Sequence, residues 1–157
     1  MRNRLIIIAI AAIFTLFIFS KCSQKETRPI NSALDQKSYL IIDAFFKDAS
    51  TGDTSAIIKL LKQNENIDLT DSLTKDLQSK FNFINQNSGA FVSDKLLRKK
   101  ILNDDVGVYC YLVKYDKKFY RFTFVFYNNN RDVKIFRFSF DETVDIELEE
   151  SIKLYAN

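Results

Sequence analysis

The sequence predicts an α+β domain in which N-terminal helices pack on a curved antiparallel sheet of about four to five strands. Two observations lead to this fold class. Apolar residues between positions 33 and 88 recur at the three- and four-residue spacing of helices. After Gly89 the pattern changes to the two-residue alternation of strands. A group of helices followed by a run of strands is typical of α+β domains.

The first two helices are predicted from their caps and apolar spacing. The first is expected from about Ala33 to Ser50, with Ser32 in a capping position and Gly52 just past the end. Thr54 is placed to cap a second, shorter helix through residues 57–61.

The third helix starts at Thr70 or Asp71, either of which can act as its cap, and ends near Ser88. Its apolar residues form a single stripe at spacings of four, four and three: Leu73, Leu77, Phe81 and Ile84. This stripe is expected to pack on the sheet.

The strands are expected at 91–102, 106–115 and 120–127, and in a hairpin partner that follows a turn at Asn128–Asn130. Alternation predicts that the phenylalanines of the last two strands share one face of the sheet: Phe122, Phe124, Phe126, Phe136, Phe138 and Phe140. Residues 144–149 alternate apolar and acidic side chains and are predicted to form an acidic edge strand.

Two stretches resemble a known family. They are the helix end "FFKDASTGD" within Tyr39–Asp53, and the paired strands of Val108–Asp141. In element order they resemble the cone-shaped fold of nuclear transport factor two and the ketosteroid isomerases, and especially small exported lipoproteins built on that fold. The resemblance implies a helix-covered sheet with a concave face. A cystatin-like arrangement of a helix on a sheet is an open alternative.

The N-terminus has the layout of an export signal. A basic start is followed by an apolar run of about 15 residues, Leu5–Phe19, and then by Cys22. This resembles a bacterial lipoprotein signal, in which the cysteine receives the lipid. Lys21 departs from that pattern, because a small residue normally precedes the cysteine. An uncleaved anchor and full release are the two alternatives; the run is shorter than the roughly 20 residues that span a bilayer.

These features divide the chain into a signal peptide at 1–21, a tether at 22–31 and one α+β domain at 32–157. Three of the 23 basic residues lie in the signal, and the remaining 20 match the 20 acidic residues. A neutral body argues against electrostatic capture of nucleic acid. The expected location is the bacterial cell envelope, lipid-anchored at the outer membrane, on its periplasmic or surface side.

Few residues suggest chemistry. The chain contains no histidine, so a catalytic thiol at Cys110 would lack its usual base. Cys110 is expected to be a small buried residue if Cys22 carries lipid; a disulfide between the two is the alternative. No catalytic residue, metal site or cofactor is expected.

Three further patterns have a structural and a functional interpretation. The tyrosines Tyr109, Tyr111 and Tyr115 share a strand face that either belongs to the core or lines a pocket. Asp43 is the candidate for an isomerase-like acid, but a solvent-facing position is favoured. Asp71-Ser72-Leu73 looks like a short O-glycosylation acceptor or a helix cap.

The sequence therefore predicts a membrane-anchored envelope lipoprotein without enzymatic activity, whose domain binds a partner. Its expected contacts are the membrane, through the N-terminal lipid, and a protein or small apolar ligand. The alternative is a small ligand carrier or isomerase-like enzyme that uses a pocket in the cone.

Overall fold

The structure is a computed structural model, and it describes residues 32–144. The predicted signal peptide, the tether and Cys22 lie outside the described residues, as do positions 145–149 of the predicted acidic edge strand. Within the described range, helices precede strands throughout. No helix in that range is both long enough and apolar enough to cross a membrane.

Three helices form the first half of the domain. Helix α1 spans Ala33–Ala49, α2 spans Ala56–Leu61 and α3 spans Asp71–Ser88. The Ser32 hydroxyl accepts a hydrogen bond from the Asp35 amide at 3.2 Å, and Thr70 caps α3 in the same way. These contacts satisfy amides that the helix itself leaves unpaired.

The predicted Thr54 cap of the second helix is wrong. Ser55 occupies the N-cap position of α2, and its side chain makes no capping bond. Instead, the Asp53 carboxylate accepts a hydrogen bond from the Ser55 amide at 2.8 Å. An aspartate that bonds the amide two residues on forms a turn of its own, so the chain enters α2 from a turn.

Within residues 32–144, four antiparallel strands form one sheet in the order β1-β2-β3-β4. Their bounds are Phe91–Leu102, Val106–Tyr115, Phe119–Asn128 and Val133–Asp141. The last hairpin turns at 129–132, slightly later than predicted, with Asn130 at a φ of 66°. Asparagine accepts this left-handed conformation more readily than most residues. The α+β fold class is thus confirmed, with helices followed by a curved antiparallel sheet.

Helix α1 supplies the main cover of the sheet. Phe45 lies 5.4 Å from Phe124 and 5.2 Å from Phe138, measured between ring centroids. Phe46 lies 5.1 Å from Tyr111 on β2. We call the sheet face beneath α1 the inner face, and the opposite side the outer face.

The predicted stripe of α3 packs on the core only in part. Phe81 and Ile84 are buried, and Leu77 is partly buried. Leu73 is 39% exposed, so the first turn of the stripe faces solvent. Phe81 contacts the sheet at Phe122 of β3, with 6.2 Å between the two ring centroids. The expectation that the whole stripe packs over the phenylalanines is therefore met only by its second half, because α1 covers Phe124 and Phe138.

Phe136 lies on the outer face, contrary to the alternation expected from the sequence. The pairing of β3 with β4 shifts between Val125 and Phe126, which pair with Arg137 and Ile135. Phe136 is the extra residue of this β-bulge. Ile135 is consequently buried, whereas Phe136 is 65% exposed. Phe138 and Phe140 still face the core, opposite Phe124 and Phe122.

Candidate functional site

The concave side of the sheet, where a cone-shaped domain could hold a ligand, is filled with aromatic rings. The side chains that fill it come from α1, α3 and three strands: Phe45, Phe46, Phe81, Tyr111, Phe122, Phe124, Phe126 and Phe138. Neighbouring rings are 5.0 to 6.5 Å apart, which is the spacing of close-packed aromatic pairs. The inner face is therefore a core in its central part.

The tyrosines of β2 belong to this core. Tyr109 and Tyr111 are 0% exposed and Tyr115 is 2% exposed. Tyr111 packs edge-on against Phe124 at 5.8 Å. The core interpretation of these residues is confirmed.

One carboxylate lies inside this core, at the start of α1. Asp35 is fully buried. Its Oδ1 accepts a hydrogen bond from the Tyr109 hydroxyl at 2.9 Å. Its Oδ2 lies 2.8 Å from the Lys99 ammonium of β1. We call Asp35, Lys99 and Tyr109 the buried polar cluster.

The buried polar cluster joins three elements of the fold. A buried carboxylate is tolerated when a cation and hydrogen-bond donors replace the water it has lost, and both its oxygens have such a partner here. Burial, together with the neighbouring Asp35 carboxylate, raises the pKa of Tyr109 above its usual range, so this phenol remains a hydrogen-bond donor at neutral pH. The Lys99 ammonium also lies 5.5 Å from the Tyr39 ring.

Sequence reasoning missed this cluster, although signals for it exist. Asp35 precedes Tyr39 by four residues and Ile42 by seven, which places it on the apolar face of α1. Lys99 faces Tyr109 across the β1–β2 pair. Acids are common in the first turn of a helix, so the position of Asp35 in the sequence does not by itself indicate a buried carboxylate.

Asp43, the acid that the sequence singles out, is half-buried on α1. It is therefore not fully solvent-facing, the position that the sequence favours, and it is not buried. The buried acid of this helix is Asp35, two helical turns earlier.

Two other candidates from the sequence have simple structural positions. Cys110 is 7% exposed and pairs with Thr123 in the sheet, in line with a small buried residue. Asp71, Ser72 and Leu73 form the first turn of α3, where Thr70 is the cap and the three side chains are exposed. The lipidation candidate Cys22 lies outside the described residues.

A second buried polar contact lies at the far end of the sheet. The hydroxyls of Ser88 and Tyr120 are 2.8 Å apart. The Tyr115 ring packs edge-on against Tyr120 at 5.7 Å. Its own hydroxyl is buried and has no hydrogen-bond partner among residues 32–144. Burial raises the pKa of Tyr115 to about 12.

An apolar groove opens beside the β-bulge. It has a volume of about 610 Å³. Its walls come from the loop after α2 and from β2, β3 and β4: Asn64, Asn66, Ile67, Val106, Val125, Phe126, Tyr127 and Phe136. The Asn64 amide donates to the Ile135 carbonyl at 2.7 Å and holds the loop against β4. The groove has a volume suited to a small ligand, and its polar groups are few.

Comparisons with known proteins add little to this geometry. No protein-family model matches the chain, and no curated protein matches it. Among solved structures, the chain is similar to a provisionally named NTF2-like transpeptidase from Campylobacter jejuni. The two share 15% identity and a TM-score of 0.47, and the match covers 62% of this chain and 95% of the other. The helix-then-sheet order described above is the α+β order that the sequence predicts.

Proposed function

We propose that this chain is a membrane-anchored envelope lipoprotein whose domain is a binding or interaction module without enzymatic activity. The observation that supports this most is the filled inner face. A catalytic site needs a cavity with accessible polar groups beside it. Here the space beneath α1 is occupied by the packed rings of Phe45, Phe46, Phe124 and Phe138.

The buried polar cluster also favours a structural role over a catalytic one. A general acid or base has to reach the proton that it transfers, directly or through one water. Asp35 is fully buried, and its two oxygens are engaged by Lys99 and Tyr109. Its contacts tie α1 to β1 and β2, which is a sufficient role for a buried charge pair.

The anchoring half of the proposal rests on the N-terminal sequence. The basic start, the apolar run Leu5–Phe19 and Cys22 follow one another in the order of a lipoprotein signal. A lipid on Cys22 would hold the domain at the membrane by the ten-residue tether 22–31. A single acyl chain binds membranes only weakly, and stable anchoring takes a second chain or another membrane-binding group. A diacylglyceryl group on Cys22 would supply two chains.

Metabolic labelling with a radioactive fatty acid tests the anchor. The wild-type protein is expected to incorporate label and to fractionate with membranes, and Cys22→Ser to lose both properties. Cys110→Ser is the matched control, since it removes the other cysteine and should leave labelling intact. Label that persists on the Cys22→Ser protein would rule out this site.

Lys21→Gly tests the departure from the usual signal. A small residue before the cysteine is the normal arrangement, so this variant is expected to be processed faster than the wild type. The measurement is pulse–chase conversion of precursor to mature protein. Equal rates would mean that Lys21 does not limit processing.

The apolar groove favours a second candidate, a carrier of a small apolar ligand. Its walls include Ile67, Val106 and Phe136, and its volume of about 610 Å³ suits such a ligand. Titration with a fluorescent fatty acid separates the two candidates. Saturable binding that Ile67→Glu abolishes would support the carrier; weak, non-saturating fluorescence would support the interaction module.

A further inference from the structure

The outer face of the sheet carries a concentration of basic side chains. Strand register places them on β1, on β2 and, beside the bulge, on β4. The exposed members are Lys95, Arg98, Lys100, Lys114 and Arg137. Among the described strand residues of this face the register places one acid, Asp141, which pairs with Arg121 at 2.9 Å. Glu65, from the loop after α2, pairs with Lys134 of the same face. The face is therefore positively charged although the mature chain is neutral.

Exposed apolar side chains lie among these cations. Leu102 is 50% exposed, Phe119 is 49% exposed and Phe136 is 65% exposed. Phe119 pairs with Lys114, whose ammonium lies 5.9 Å from its ring. Phe136 adjoins Arg137 in the bulge. Phe119 and Phe136 are thus each next to a cation, and Leu102 lies at the end of β1 on the same face.

The helix side of the domain does not carry the same excess of positive charge. Lys59 is paired there with both Asp48 and Asp53 at 2.8 Å, and Lys80 is paired with Asp76 at 2.8 Å. The two surfaces differ in their balance of charge: residues 33–88, which include the three helices, hold six lysines and eight acids, so acids outnumber cations on the helix side. The positive charge is therefore a local property of the outer face.

We infer that the outer face of the sheet docks on an anionic phospholipid surface. Cations attract lipid phosphates, while neighbouring aromatic and aliphatic side chains enter the headgroup region. The inference rests on the proposed membrane anchoring. The tether of ten residues, 22–31, reaches at most about 35 Å, which is about the diameter of a domain of this size. The domain can therefore turn this face towards the bilayer.

Charge complementarity decides between a bilayer and other partners. Anionic headgroups complement a broad face that combines cations with exposed apolar groups. A nucleic acid binds mainly through long-range electrostatic attraction, and a chain whose mature part is neutral provides little of that attraction. The anchor, moreover, keeps a bilayer within reach at all times.

Tryptophan fluorescence of the full-length protein in vesicles tests the inference. The chain contains no tryptophan, so Phe136→Trp places a single reporter on the outer face. Phe83→Trp is the matched control, because Phe83 is 59% exposed and lies on α3. Vesicles of phosphatidylcholine alone are compared with vesicles that also contain phosphatidylglycerol, each with and without brominated lipid as a quencher.

The expected result is a shift of Phe136→Trp emission to shorter wavelength, with quenching, in the anionic vesicles only. The Phe83→Trp control should give the same emission in both. Each basic side chain near an anionic surface contributes about a fivefold factor. Lys100→Gln with Arg137→Gln should therefore lower the equilibrium constant for contact about 25-fold. Lys47→Gln with Lys62→Gln, two exposed helix-side changes, should leave it unchanged.

Three results would overturn the inference while the protein stays anchored in the vesicles. One is an unchanged Phe136→Trp spectrum in anionic vesicles. Another is an equal shift in both vesicle types, which would mean apolar contact without charge recognition. The third is a response that occurs only after removal of residues 145–157, because that would mean the acidic end of the chain occupies this face. Loss of the protein from the vesicles would instead contradict the proposed anchor.

Discussion

Replacing Phe124 with alanine removes the centre of the aromatic core. Phe124 is 0% exposed. Its ring lies 5.4 Å from Phe45 on α1, 5.8 Å from Tyr111 on β2 and 5.0 Å from Phe138 on β4. The substitution therefore opens a void that is shared by one helix and three strands, and no single neighbour can fill it.

The loss expected from this void is about 3–5 kcal/mol, the usual cost of a buried phenylalanine. Each aromatic pair contributes about 0.5–1.5 kcal/mol beyond the area it buries, which favours the upper part of that range. An ordinary domain has about 5–15 kcal/mol of stability in total. For a domain of this size the melting temperature should fall by about 12–20 °C.

Thermal unfolding of the protein expressed without residues 1–22, followed by circular dichroism, measures the effect. Thr123→Ala and Phe136→Ala are the controls, because both side chains lie on the outer face. Each should change stability by less than about 0.5 kcal/mol. If Phe136→Ala destabilises the domain as much as Phe124→Ala, then Phe136 lies in the core, and the bulge in β4 that turns it outward does not exist.

Three further predictions concern the buried polar groups. Asp35→Asn should destabilise the domain by about 3 kcal/mol in urea unfolding, because it removes the buried carboxylate that faces the Lys99 ammonium. Asp76→Asn, which breaks an exposed ion pair with Lys80 on α3, should have little effect; equal effects would contradict the special position of Asp35. Tyr115→Phe should stabilise the domain by up to about 1 kcal/mol, since it removes a buried hydroxyl that lacks a partner among the described residues; a loss of stability would mean that this hydroxyl is satisfied. Because burial raises the pKa of Tyr115 to about 12 from about 10 in the unfolded chain, ionisation of this phenol favours unfolding. It leaves stability unchanged below pH 10 and lowers it as the pH rises from 10 to 12. Tyr115→Phe should therefore reduce the alkaline fall in melting temperature, and an unchanged alkaline limb would exclude Tyr115 as a cause.

The regular strands could be predicted from the sequence because alternation survives wherever pairing is regular. Residues 119–128 keep strict alternation, and their phenylalanines Phe122, Phe124 and Phe126 are all buried as predicted. The same rule fails at Phe136, since one extra residue in β4 reverses the side to which it points. A bulge depends on pairing between strands and is not visible in the spacing of one strand.

The buried polar cluster illustrates a different limit of the sequence. Its members Asp35, Lys99 and Tyr109 are separated by 64 and 74 residues along the chain. Each is ordinary in its local context, and only the packing of α1 on β1 and β2 brings them together. The groove likewise depends on the position of the loop after α2, which no local pattern specifies.

Intact mass spectrometry of the mature N-terminus, on protein purified from a bacterial host, shows whether Cys22 is the lipid anchor of this protein. We expect a chain that begins at Cys22 and carries added mass corresponding to a diacylglyceryl group. Fragment ions should place this mass on the first residue. A chain that begins at Met1, or that begins near Ser23 without added lipid, would contradict the account and leave an uncleaved anchor or full release in its place.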